Sequence, residues 1–219
     1  MPILLPFKPR LYQAADRLRQ VPLRRPADDR SEALWRALSM RAAGAPHAVW
    51  EEFSPAIHRL LRRLLGPTAE TQDLAQEVFL RFFQKCDRVA GAASLKPFLF
   101  GICSRVAQEE MRRRRVHRWL SLTPTGVLPD SGAATTDGGA REAVARLYRL
   151  LERLGPADRS LFVLRFIEEM ELVDVAKVHA LSFSTARRRI DRVWKRVRKL
   201  IEKDETLAAY LDTEAIDDV

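Results

Sequence analysis

Ser184-Thr185-Ala186-Arg187-Arg188-Arg189-Ile190-Asp191-Arg192-Val193-Trp194-Lys195-Arg196-Val197-Arg198-Lys199-Leu200-Ile201 is an amphipathic helix written out in full. Ala186, Ile190, Val193, Val197 and Ile201 recur at three- and four-residue steps, which places them on one buried face. The remaining positions are mostly cationic. Between Arg187 and Lys199 eight basic residues stand against one acid, Asp191. Neither solubility nor pairing between neighbouring turns requires so many cations. A helix that lies against a polyanion does.

The residues just upstream complete a motif. Asp174-Val175-Ala176 falls on a short helix, Ala180-Leu181-Ser182 suits a tight turn, and Ser182 is placed to cap the basic helix. This is helix-turn-helix spacing, and it turns Ser184, Thr185, Arg187, Arg188 and Arg192 toward a major groove, where arginines reach guanine edges or phosphates. A solvated charged face is the alternative for this stretch taken alone. A second basic stretch, Arg105 to Arg118, carries Leu99, Ile102, Cys103 and Val106 on its apolar side and Arg105, Gln108, Arg112 and Arg115 on the other. Its arginines would neutralise phosphates, with affinity falling by about 0.9 log units per log of salt for each duplex contact.

Composition agrees. The 219 residues are 47% hydrophobic and carry a net charge of +9 with a pI near 10.1. That is enough apolar material for one ordinary core or two small ones, and the clustered charge points to nucleic acid. The pattern is helical throughout, giving an all-α chain of two small domains: a basic N-terminal arm over 1–30 with one helical turn near 11–18, a four-helix domain over 31–120 whose last helix starts near Pro97, a linker over 121–140, a second helical domain over 141–203 and an acidic tail over 204–219. Domains joined by such a linker can move apart. No apolar run is long enough for a bilayer, and Pro2 and Pro6 interrupt the N-terminal apolar run too early for a secretory signal, so a cytoplasmic protein without membrane insertion is expected. Cys86 and Cys103 suit reduced core thiols. His47, His58, His117 and His179 lie at no ligand spacing, so no metal and no cofactor is expected. No catalytic constellation, phosphate loop or nucleophile elbow is present in the sequence, and the expectation is a protein that is not an enzyme.

One helix of the first domain poses a question. Asp73, Gln76 and Glu77 share a polar face above Leu74, Val78, Phe79, Phe82 and Phe83, and carboxylates four residues apart repel by roughly 0.2 to 0.5 kcal/mol. A basic partner from outside would explain the face; helix-dipole stabilisation or simple solvation would as well.

Together these segments resemble a known family, the extracytoplasmic function group of the bacterial sigma-70 class. Thr71-Gln72-Asp73-Leu74-Ala75-Gln76-Glu77-Val78-Phe79 is similar to one signature of that family, Leu95-Lys96-Pro97-Phe98-Leu99-Phe100 to a second, and Glu109 with Arg112 to Arg115 follows in register. Asp174-Val175-Ala176 through Thr185, then Arg189 and Arg192, is similar to its helix-turn-helix. The resemblance spans residues 31–203. It implies a sigma factor that guides core RNA polymerase to promoters and opens them, with an anti-sigma factor as a further family expectation; the rival reading is a stand-alone helix-turn-helix regulator. It also implies site residues. Asp73, Leu74, Gln76, Glu77 and Phe79 would face the polymerase β′ coiled coil. Arg105, Gln108, Glu109, Arg112, Arg113 and Arg115 would hold the minus-10 element. Ser184, Thr185, Arg187, Arg188, Arg189, Arg192 and Lys195 would meet the minus-35 element, while Leu161, Leu164, Phe166, Val193 and Trp194 would divide between the core and a surface for the polymerase β flap. The family pattern has Gly where this chain has Ala180; Ala in a left-handed turn costs about 1 kcal/mol, which favours a turn of another shape.

Overall fold

A computed structural model describes residues 29–66, 69, 71–120, 138–205, 207 and 208. The arm up to residue 28, with its expected turn near 11–18, the linker positions 121–137 and the tail beyond 208 lie outside the described residues. Among the described residues all regular structure is helical and no strand occurs.

The first unit holds α1 (Asp29–Ser39), α2 (Ala45–Leu65), α3 (Gln72–Phe83) and α4 (Ala92–Leu120), with a short 3₁₀ turn, Cys86–Arg88, between the last two. Helix α2 ends where Arg62 and Arg63 meet the negative end of the helix dipole and Gly66 follows at φ 113°, a backbone angle that costs glycine little; its N–H donates to the Arg62 carbonyl at 2.8 Å. Helix α4 starts at Ala92, five residues before the expected start at Pro97. Proline that close to a helix start removes a single main-chain hydrogen bond, and the turn around Leu95 gains more from burial than that bond would supply. Leu60, Leu61, Leu64, Phe82 and Leu99 form the centre of this unit and are fully buried. Trp50 packs on Phe79 with ring centroids 4.5 Å apart.

The second unit holds α5 (Gly138–Leu151), α6 (Pro156–Phe162), a π turn Val163–Ile167, α7 (Leu172–Val178) and α8 (Phe183–Ile201). Pro156 sits at the first helical position after Gly155, where its missing N–H costs nothing. Residues 138–140, assigned to the linker by composition, belong to α5 instead. Helix growth is cooperative, so the buried stripe Ala143, Leu147, Leu150 and Leu151 carries the helix back through the glycines.

The two units meet. Helix α4 packs against α6 and α7, α2 touches the π turn, and one hydrophobic core runs through both units. A polar seam accompanies it. Arg63 donates to the Glu168 carboxylate at 2.7 Å and to the Ile167 carbonyl at 3.1 Å. The hydroxyls of Ser104 and Ser160 are hydrogen-bonded, and Ser160 is also 3.2 Å from the His179 Nε2. Gly101 lets α7 come this close, because a Cβ there would lie 3.3 Å from the Val178 carbonyl.

Candidate nucleic-acid interface

The basic helix is anchored at both ends of its first turn. Ser182 caps α8, its hydroxyl accepting from the Thr185 N–H at 3.3 Å and donating to the Thr185 hydroxyl at 2.8 Å. Before it, the turn is left-handed at Ala180, φ 52°. The Leu181 N–H reaches back to the Ala176 carbonyl at 2.9 Å and the Ala180 N–H to Lys177 at 3.1 Å, the paired bonds of a Schellman ending. The expectation of a differently shaped turn therefore fails: two hydrogen bonds and the packing of Leu181 offset the cost of alanine.

With the stripe Ala186, Ile190, Val193, Val197 and Ile201 buried, the opposite side of α8 faces outward. Phe183, Ser184, Arg187, Arg188, Asp191, Arg192 and Lys195 line one groove there. Arg187, Arg188, Arg192 and Lys195 make no ion pair with any described residue, so their charge is uncompensated. Arg189 differs. It is half-buried and turned to α6, where its guanidinium lies 3.4 Å from the Asp158 carboxylate. Thr185 is half-buried beside its cap.

The basic end of α4 is partly self-neutralised. Arg112 and Arg115 are exposed, but Arg113 and Arg114 both donate to Glu110, at 2.7 and 2.6 Å. Burial pushes the Glu110 carboxyl up, yet these two hydrogen bonds outweigh it and hold the group below the usual carboxylate range. Arg105 donates to the Gly101 carbonyl at 3.1 Å beside the seam with α7, and Gln108 donates to the Ser104 hydroxyl at 3.1 Å.

On α3, Asp73 and Gln76 are exposed and Leu74 and Glu77 half-exposed, so one continuous face presents them. Phe79 does not share it: the ring is 2% exposed, lies under Trp50 and Phe83, and supports the face from beneath. The sequence reading also missed a basic partner inside the chain. Arg81 donates to Glu77 at 2.6 Å and to Glu109 at 2.8 Å, tying α3 to α4, and its pKa is raised chiefly by the Glu77 hydrogen bond. Glu77 and Arg81 are four residues apart, a spacing that announces such a pair. Of the apolar residues divided between core and flap surface, Leu161, Leu164, Phe166 and Val193 are fully buried, leaving only Trp194 partly exposed against Phe166, with ring centroids 5.1 Å apart. No cluster of three or more metal-ligating side chains occurs among the described residues, and no described helix is long and apolar enough to cross a membrane.

A capped helix-turn-helix with an unpaired cationic groove, joined to a helical unit with a second basic helix and an acidic face, has the features of a DNA-binding protein. Comparison with known proteins makes the class specific. Residues 49–116 match sigma-70 region 2 and residues 150–199 match sigma-70 region 4, together more than half of the chain. The RNA polymerase sigma-E factor of Streptomyces avermitilis is 29% identical over 161 residues, covering 73% of this chain and 86% of the relative. The extracytoplasmic function sigma factor SigW of Bacillus subtilis is 22% identical over 161 residues, covering 67% and 83%. The fold is similar to that of CnrH in complex with the cytosolic domain of CnrY, with a TM-score of 0.58 and 20% identity over 80% of this chain and 99% of that one. The chain belongs to the extracytoplasmic function group of the sigma-70 family.

Proposed function

We propose that this protein docks on core RNA polymerase, directs it to a specific set of promoters and opens them there, leaving all bond-making to the core enzyme. The observation that carries the reading is the presence on one chain of both sigma regions, one ending in the unpaired cationic groove of α8 and the other presenting the exposed Asp73–Gln76 face. In this reading Asp73, Leu74, Gln76 and Glu77 meet the β′ coiled coil. Arg105, Gln108, Arg112 and Arg115 hold the minus-10 strand, while Glu109 and Arg113 brace that helix through their own ion pairs. Ser184, Arg187, Arg188, Arg192 and Lys195 occupy the minus-35 groove, Thr185 fixes the cap beneath them, and Trp194 offers the flap its exposed edge. The protein acts in the cytoplasm, on the nucleoid when polymerase-bound. An anti-sigma partner fits the reading, since the structurally similar CnrH is held by the cytosolic domain of another protein. Co-elution with purified core polymerase tests it. Wild-type protein is expected in the polymerase fraction and Asp73→Arg outside it; tight duplex binding with no affinity for core would favour a stand-alone regulator.

A further inference from the structure

The cationic face of α8 contains one carboxylate. Asp191 lies inside the groove lined by Ser184, Arg187, Arg188, Arg192 and Lys195. Arg187 is four residues before it, Arg188 three before and Lys195 four after, all at the spacing that closes side-chain ion pairs on a helix. Elsewhere in this molecule that spacing does close: Glu77 with Arg81 at 2.6 Å, Glu142 with Arg146 at 2.7 Å, Asp174 with Lys177 at 2.9 Å and Arg198 with Glu202 at 2.8 Å. Asp191 pairs with none of its three neighbours, and its two oxygens stay available to the groove.

An anion at this place is costly if the groove meets only phosphates, which would repel it. It becomes favourable where the DNA presents a hydrogen-bond donor, and the donors on major-groove base edges are the exocyclic amines of cytosine and adenine. Adenine sets its amine beside the N7 acceptor, which would face the second carboxylate oxygen. Cytosine offers the amine with no neighbouring acceptor. Guanine and thymine present only acceptors and a methyl group, so both are rejected. Selection by repulsion of wrong partners is as effective as attraction of the right one.

Resting on the promoter-binding reading above, we propose that Asp191 is a specificity-determining residue that accepts a hydrogen bond from a cytosine amine in the upstream promoter element and penalises other bases at that pair. The surrounding arginines supply phosphate contacts that do not depend on sequence, or reach guanine edges at other pairs. Loss of the carboxylate should then relax one base pair and leave the rest of the site as it was. The fold should tolerate the change, because Asp191 has no partner to lose and alanine is the better helix former.

The test is selection from a promoter library randomised through the upstream element, using full-length protein reconstituted with core polymerase. Wild-type holoenzyme is expected to favour C·G at one pair by about tenfold. Asp191→Ala should flatten that pair alone, and Asp191→Asn should move its preference toward A·T, since an amide matches the donor and acceptor of adenine. Identical profiles for wild type and Asp191→Ala would overturn the assignment, as would a wild-type preference for A·T at the affected pair. A wild-type holoenzyme that selects no sequence would instead overturn the promoter reading, and this inference with it.

Discussion

His179 is a titratable side chain at the meeting of the two units. It sits among Ser160, the Arg105 guanidinium from α4, Arg189 from α8 and Asp158 from α6. Burial, then the two arginines, lower its pKa from the ordinary 6.5 to about 4, with Asp158 opposing. The folded state therefore holds this imidazole neutral while the unfolded chain binds a proton below pH 6.5. Stability from this group is fully present above about pH 6.5 and is lost as the pH falls toward 4. Thermal melts of the wild type should fall through that window more steeply than those of His179→Gln; parallel curves would show that the imidazole does not control the packing.

The helix-turn-helix was the most legible element, because Ala186, Ile190, Val193, Val197 and Ile201 fix its buried face and Ser182 its start. Its turn was the least. An alanine at a left-handed angle contradicts local preference, and only the bonds from Leu181 and Ala180 back to α7 reveal why it is tolerated. Replacing Ala180 with glycine should relieve the strain and raise unfolding stability by about 1 kcal/mol. A lower melting temperature for Ala180→Gly would mean that the turn is not strained. Elsewhere composition misled for a physical reason: Gly138 and Gly139 look like linker, and Pro97 looks like a helix start, yet cooperative helix growth and packing override both. The candidate site was legible in its charged side chains and not in their partners. Arg112, Arg115, Arg187, Arg188 and Arg192 are as outward as the pattern implies, whereas Arg189, Phe79 and Leu164 turn inward because tertiary neighbours, invisible to a local period, claim them.

Taken whole, the molecule is folded onto itself. The seam from Arg63–Glu168 through Ser104, Ser160 and His179 sets α7 on the face of α4 that carries Gly101 and Ser104, next to the residues proposed for the minus-10 strand. Glu168 is only 10% exposed, so removing Arg63 would leave a buried carboxylate without its cation, at a cost of about 1–3 kcal/mol. Small-angle scattering should report a larger radius of gyration for Arg63→Ala than for the wild type, and equal radii would show that the pair does not hold the units together. Whether the two units serve one purpose is decided by run-off transcription on promoter fragments from the source genome, with core polymerase alone and with the protein added. Discrete new start sites that appear only with the protein, and vanish with Arg188→Ala and Arg192→Ala combined, are the predicted result. Transcription identical with and without it would contradict the assignment as a promoter-specificity factor.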